Sequence, residues 1–374
     1  MTDLAYVRAD MVGAQPAPHR TSGFGAWVRK NLFSTPGDTF LTLVGVVLLV
    51  LVVPPLYNFF FGHAVPPGGT VEQCRAATDG ACWAYIASEI EFFIYGFYPA
   101  EEFWRVNIVF AMLALFAIPL LIPRAPFKAL NAILFFVVFP IASLVLLAGG
   151  RFGLSYVPTE QWGGLLVTLL ISVVGICLSL PIGIILALGR QSRLPVIRTL
   201  SIGYIELIRA VPLITILFMA SIMLPLFMPQ GTTVDKLLRA VVGVTLFSAA
   251  YMAEVVRGGI QAIGRGQYEA ANSLGMGYWK TMGFIVLPQA LKHVIPGIVN
   301  SFISLFKDTS LIYIVGMKDL LETVKTKNDS LEWVSSTQTI TGYIFAAMIY
   351  WVFCFSMSRY SQYMERRLNT GHKR

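Results

Sequence analysis

A cluster of polar side chains in an otherwise apolar stretch, 290–310, offers the most specific chemistry in this 374-residue sequence. Five of them fall within one helical arc of about 120°: Asn300, Ser301, Ser304, Lys307 and Asp308. Ionisable groups at membrane depth are costly and usually face a bundle interior or an aqueous path. Lys307 and Asp308 could therefore hold the two charges of a zwitterionic solute. Alternatively, Lys307 extends to the outer membrane interface while Asp308 caps the helix end or pairs with it, and the sequence favours neither interpretation.

A second polar stripe follows the apolar run 164–188. Its members recur at helical spacing: Gly164, Thr168, Ser172, Gly175, Ser179 and Gly183. Small residues let helices approach closely, and hydroxyl groups hydrogen-bond across such contacts. Close packing is the favoured role of this stripe, and Thr168 and Ser172 are its candidates for lining a solute path.

Two pairs of a glutamate and an arginine lie near the ends of apolar runs, Glu206 with Arg209 and Glu254 with Arg257. Residues three positions apart share one face of a helix, where opposite charges form an ion pair. A structural ion pair is favoured over direct solute contact for both.

Patterns for catalysis are missing from the sequence. The phosphate-binding pattern G-x-x-x-x-G-K-[ST] does not occur, although the run from Gly275 to Thr281 resembles it at the wrong spacing. There is no G-x-S-x-G nucleophile motif. Four scattered histidines form no metal-binding pattern: His19, His63, His293 and His372. We therefore expect no catalytic residue, no metal and no cofactor in this chain.

Long apolar segments must position these groups. Hydrophobic residues make up 56% and charged residues 13% of the chain, and the mean hydropathy is +0.68. A soluble domain has roughly 25% charged residues, so the composition predicts an all-α integral membrane protein. Eight spans are predicted: Leu41–Phe61, Val106–Ile122, Ala129–Ala148, Gly164–Leu188, Gly203–Met228, Leu237–Val256, Ala290–Ser310 and Thr339–Ser358. The fifth is expected to kink at Pro212 and Pro225.

The distribution of lysine and arginine orients these spans. With the N-terminus inside, the cytoplasmic segments hold 19 such residues and the outer segments 8. The positive-inside rule therefore predicts that both termini and the loop 260–288 are cytoplasmic. The net charge of +8 reflects this bias. No basic cluster with interleaved aromatic residues, of the kind that binds nucleic acid, is present.

A change of composition at 149–160, where Gly, Arg, Ser and Pro are frequent, divides the chain. The predicted parts are a cytoplasmic tail with a membrane-surface helix (1–38), a three-span extension (39–160) with a periplasmic loop (62–105), a five-span core (161–365) and a cytoplasmic tail (366–374). Cys74 and Cys82 lie in the periplasmic loop, eight positions apart in an oxidising compartment, so we predict a disulfide. The alternative is two free thiols.

The longest interior segment with neither membrane nor linker composition is 269–288, EAANSLGMGYWKTMGFIVLP. Residues 269–274 suit a short amphipathic helix, which Gly275 ends because glycine reaches the left-handed conformation of a helix C-terminus. A second amphipathic run, 279–287, is expected to end at Pro288. Two short helices around a glycine turn suit docking in a groove of another protein.

This segment resembles the EAA loop of the membrane subunits of bacterial ABC importers. It has Glu-Ala-Ala, a glycine four positions later, and Ile-x-Leu-Pro at the right distance. Further segments resemble the polar amino-acid branch of that family: VTLLISVVG (167–175), YIELIRAVPLI (204–214), YMAEVVRGGI (251–260) and NSFISLFKDTSLI (300–312). The extension, with CWAYI (82–86) and FFIYGFYP (92–99), is similar to the longer permeases of proteobacterial general L-amino-acid importers.

The resemblance implies a type I permease core that imports amino acids by alternating access in the bacterial inner membrane. It implies that an ATPase is contacted by Glu269, Ala270, Ala271, Leu274 and Gly275. The implied partners are a second, similar permease, two ATP-binding subunits that hold ATP and Mg²⁺, a periplasmic amino-acid-binding protein and lipid. The alternatives are an ion-driven secondary transporter, a channel for small polar solutes, and a membrane-embedded enzyme or sensor. A transporter or channel explains the polar stripes but not the EAA pattern.

Overall fold

A computed structural model describes residues 23–122, 125–151, 153–229 and 234–368. The first 22 residues of the predicted N-terminal tail and the last six of the C-terminal tail lie outside the described residues. Arg124, in the turn between the second and third predicted spans, also lies outside the described residues.

The described chain is built of helices. In chain order they are α1 (Phe24–Leu32), α2 (Pro36–Gly62), α3 (Val71–Ala76), α4 (Trp83–Tyr95), α5 (Ala100–Leu121), α6 (Lys128–Ala148), α7 (Gly164–Arg190), α8 (Pro195–Ala210), α9 (Leu213–Leu226), α10 (Lys236–Gln261), α11 (Arg265–Ser273), α12 (278–293), α13 (Ile295–Val315), α14 (Leu320–Asn328) and α15 (Gln338–Leu368). Turns of π-helix interrupt α6, α9 and α12, α2 ends in π-helix, and α13 ends in 3₁₀-helix. A short strand β1 (Lys318–Asp319) pairs in parallel with residues 163–164.

Within the described residues, seven helices are long and apolar enough to cross a membrane: α2, α5, α6, α7, α10, α13 and α15. The pair α8 and α9 makes an eighth candidate only if it counts as one broken span. The prediction of an all-α membrane protein with about eight spans is confirmed.

The prediction that 203–228 forms a single kinked helix is wrong. The chain turns by 102° between α8 and α9. Val211 and Pro212 are extended there, because proline lacks the N–H that a continuing helix needs and disfavours a helical residue before it. Pro225 lies at the start of the last helical turn of α9, which continues through it.

Helices α7 and α10 are the most buried spans, and small residues explain their close contact. A Cβ added to Gly183 of α7 would lie 2.7 Å from the Met252 side chain of α10. Only a glycine allows that approach. The small-residue stripe therefore serves the close packing of helices in this fold.

The chain forms two compact units, residues 1–64 and 65–374. In the first, α2 begins with a capping box in which the Thr35 side chain accepts from Asp38 N, and Asp38 accepts from Thr35 N. Such a cap satisfies amides that would otherwise lack partners. Helix α2 has no buried residue, which suits a helix that is apolar on all sides. The predicted surface helix is α1, with Phe24 and Trp27 exposed.

In the second unit, the segment predicted as a periplasmic loop contains α3 and α4. A disulfide joins Cys74 and Cys82, whose Cα atoms lie 5.5 Å apart. Helix α4 packs against α7, α14 and α15 of the predicted core. The side chain of Lys327 in α14 forms an ion pair with Glu89 in α4 at 2.8 Å. The segment that contains α3 and α4 is thus fastened onto α7, α14 and α15.

Candidate functional site

The EAA segment forms the predicted helix and glycine turn. Helix α11 ends in a Schellman motif, in which Gly275 N donates to Asn272 O at 2.9 Å and Met276 N to Ala271 O at 3.1 Å. Gly275 has φ +69°, in the left-handed region, and nothing lies within 4 Å of a Cβ added there. Glycine is therefore required by the backbone conformation and not by lack of space.

The predicted ATPase contacts are mostly exposed. Glu269, Ala270 and Gly275 are exposed, and Leu274 is 78% exposed. The exception is Ala271, which is 0% exposed because it packs inside the chain. Its assignment to a surface that contacts another protein is therefore wrong, and its small side chain serves the fold of the segment.

The second half of the segment differs from prediction at its end. Helix α12 continues through Pro288 to His293. A π turn at Thr281–Val286 changes the hydrogen-bond register just before Pro288, which donates no hydrogen bond itself. Two aromatic side chains of α12, Trp279 and Phe284, are largely exposed. Together with Leu274 they give this region apolar side chains that a partner or lipid can cover.

Part of the polar arc on α13 lines a cavity of about 770 Å³ between α9, α10 and α13. The polar lining comes from six residues: Ser248, Tyr251, Asn300, Ser301, Ser304 and Asp308. The walls between them are apolar, with Phe247, Leu305 and Leu311 among them. A mainly apolar cavity with a few convergent polar groups is the usual form of a small-molecule site.

Lys307 does not line this cavity. It is exposed on α13, beside the half-buried Asp308. Asp308 is among the residues that line the cavity, and Lys307 is not. The expectation that Lys307 and Asp308 hold a zwitterion together is therefore wrong for this conformation.

Thr168 and Ser172 do not line the cavity either. Both are buried in α7. Thr168 Oγ1 donates to Gly164 O at 3.1 Å and accepts from Leu320 N at 2.9 Å, and Ser172 Oγ donates to Thr168 O. The Thr168 hydroxyl ties the start of α14 to α7, and the Ser172 hydroxyl bonds within α7. Neither residue is therefore placed on a solute path in this structure.

A network of charged side chains lies between the ends of α7, α8 and α10. Glu254 is its centre: it accepts from Arg190 at 2.7 Å and from Arg257 at 2.8 Å, and Arg209 lies 3.9 Å away. The predicted pair of Glu254 and Arg257 is present. Glu206, however, pairs with Arg190 at 2.7 Å, and the predicted pair with Arg209 is not among the ion pairs of the described residues. The position of Arg190 at the end of an apolar run was the one signal for it in the sequence.

A buried carboxylate, Asp319, was not predicted. It is 0% exposed, accepts from Leu321 N and Glu322 N at 3.1 Å and from Tyr350 Oη at 2.7 Å. Burial raises the pKa of Asp319, and these hydrogen bonds oppose the rise. The carboxylate caps α14 and ties it to α15, which is a structural role.

Comparisons with known proteins agree with this architecture. The family model described as binding-protein-dependent transport system inner membrane component matches residues 179–370. The inner membrane amino-acid ABC transporter permease protein YhdY of Escherichia coli (strain K12) is 50% identical over 357 residues, covering 96% of both chains.

Two further relatives differ in how much of this chain they match. The glutamate/glutamine/aspartate/asparagine transport system permease protein BztC of Rhodobacter capsulatus is 38% identical and covers 100% of both chains. The probable glutamine ABC transporter permease protein GlnP of Bacillus subtilis (strain 168) is 34% identical, covering 55% of this chain and 92% of GlnP. Similarity along nearly the whole chain, together with the EAA segment, shows that this protein belongs to the family of inner membrane components of binding-protein-dependent transport systems, the permease subunits of ABC importers.

Proposed function

We propose that this chain is a permease subunit that imports amino acids across a bacterial inner membrane, driven by ATP hydrolysis on separate subunits. The observation that carries the proposal is the end-to-end similarity to two amino-acid permeases, YhdY and BztC. The cavity beside α13 supports it, because Asp308 offers an anionic partner for an amino group and Asn300 and Ser304 offer neutral hydrogen bonds.

The partners follow from the surfaces of the chain. The exposed face of α11 and the Leu274 side chain suit a cleft on an ATP-binding subunit, and two such subunits would bind ATP and Mg²⁺ outside this chain. A second, similar permease would complete the pathway, and a periplasmic binding protein would deliver the solute. The chain itself acts in transport and not in catalysis.

The positive-inside bias supports a cytoplasmic position for both termini and for the EAA segment. In that orientation Asp308 lies toward the periplasmic end of the cavity, and Gly297 lies toward the cytoplasmic end. Alternating access would expose these ends in turn. The ion-driven transporter and channel alternatives gain no support from the family to which the chain belongs.

The deciding experiment is reconstitution. The chain is co-expressed with a second permease, an ATP-binding subunit and a periplasmic binding protein, and the complex is purified and placed in vesicles. We expect uptake of labelled amino acids that requires both ATP inside and binding protein outside. Uptake that persists without ATP and follows an ion gradient would contradict the proposal.

Crosslinking tests the docking surface with two neighbouring alanines. Because Ala270 is exposed and Ala271 is buried, a cysteine at Ala270 should crosslink to the ATPase, whereas a cysteine at Ala271 should give little product. The measurement is the yield of the permease–ATPase adduct under mild oxidation with a cysteine on the ATPase cleft. Equal yields from both positions would show that the exposed face of α11 is not the contact.

A further inference from the structure

Among the described residues, the charged network has more guanidinium groups than carboxylates. Three guanidinium groups, from Arg190, Arg209 and Arg257, meet two carboxylates, from Glu206 and Glu254. Arg190 contacts both carboxylates at 2.7 Å, and Arg257 makes two hydrogen bonds to Glu254 at 2.8 and 3.0 Å. Arg209 is left at 3.9 Å from Glu254, beyond hydrogen-bond distance. The surplus positive charge therefore resides mainly on Arg209.

Arg209 is not one of the lining residues, but its side chain lies next to one of them. Its guanidinium carbon lies 5.6 Å from the centre of the Tyr251 ring, and Tyr251 lines the cavity. Three positions further along the chain, Pro212 and the first two residues of α9 line the cavity. The Arg209 side chain is 35% exposed, so it is partly desolvated and still accessible. A loosely paired cation in this setting has unused capacity to bind an anion.

We propose that Arg209 is a second solute contact, which receives carboxylate groups at the cytoplasmic end of the cavity. The inference rests on the proposed import of amino acids, and it identifies the residue that binds their carboxylate groups. A guanidinium presents paired N–H donors that match a carboxylate, and its charge makes those hydrogen bonds strong. The cation–π contact with the Tyr251 ring favours this position of the guanidinium.

In this proposal the two charged residues contact different groups of the solute. Asp308, which lines the cavity, contacts its amino group, and Arg209 contacts its carboxylates. Solutes with a second carboxylate depend most on Arg209.

The test compares two arginines of the same network, Arg209→Gln and Arg257→Gln, in the reconstituted complex. Uptake of glutamate, glutamine and lysine is measured with binding protein at saturation. We expect Arg209→Gln to lower glutamate uptake about tenfold more than lysine uptake, the effect of losing one charge-assisted hydrogen bond. Arg257→Gln removes the better-bonded partner of Glu254, so it should change uptake of all three solutes by a similar factor.

Rescue separates charge from structure. Arg209→Lys keeps the charge and should restore much of the glutamate uptake. An unchanged ratio of glutamate to lysine uptake in Arg209→Gln would overturn the inference while leaving the proposed function intact. Absence of amino-acid uptake by the wild-type complex would overturn both the inference and the proposed function. The same vesicle assay measures it.

Discussion

Replacing Gly275 by valine is expected to abolish ATP-driven uptake while leaving membrane insertion unchanged. Gly275 has φ +69°, and the left-handed conformation costs a residue with a Cβ about 1–2 kcal/mol, with a β-branched residue at the upper end. Valine would unwind the Schellman motif and redirect the chain between α11 and α12. The expected result is at least a tenfold loss of uptake, with ATP hydrolysis uncoupled or the ATPase released.

The same segment offers a matched control. Gly277 has φ −70° and ψ 164° and open space around its Cα, so valine fits there without backbone strain. Gly277→Val should therefore retain most of the uptake. The measurements are uptake in vesicles and retention of the ATPase during purification. If the two valine variants show the same uptake and the same retention of the ATPase, the left-handed turn is not needed to couple ATP hydrolysis to transport.

Neutralising Asp308 is expected to lower uptake by about 10- to 100-fold. The carboxylate is half-buried and lines the cavity, and a hydrogen bond between charged groups is worth about 1.5–3 kcal/mol. Asp308→Asn keeps the shape and removes the charge, so the loss reports on contact with a solute amino group. Uptake of solutes that lack an amino group should differ less between the wild-type protein and the Asp308→Asn variant.

Lys307→Gln is the control for that experiment. It removes a charge from the adjacent position of α13, on a side chain that is exposed and outside the cavity lining. We expect it to change uptake by less than about twofold, as for most surface substitutions. A larger loss of uptake from Lys307→Gln than from Asp308→Asn would indicate that the lysine, and not the aspartate, contacts the solute.

The parts of the site that sequence reasoning predicted correctly depend on local rules. The turn at Gly275 follows from the conformational freedom of glycine after an amphipathic helix. The shared lining by Asn300, Ser304 and Asp308 follows from helical periodicity. Both rules apply within a few residues, and no distant part of the chain needs to be known.

The incorrect assignments share a different cause. Periodicity shows that Thr168 and Ser172 lie on one face of α7, but it does not show what packs against that face. In the fold both residues are buried, and the Thr168 hydroxyl accepts a hydrogen bond from Leu320 at the start of α14. Ala271 is buried for the same reason, since its environment is made by residues outside α11.

The sequence by itself determined the membrane class, the apolar spans, the EAA segment and its glycine turn, because composition and short-range spacing carry that information. Only the tertiary structure decided which polar face lines a cavity, where the chain bends between α8 and α9, and which charges pair. Glu206 joins Arg190 across 16 positions, and Glu254 joins it across 64. Ion pairs form between groups that helix packing brings within about 4 Å, and that proximity is a property of the assembled helices.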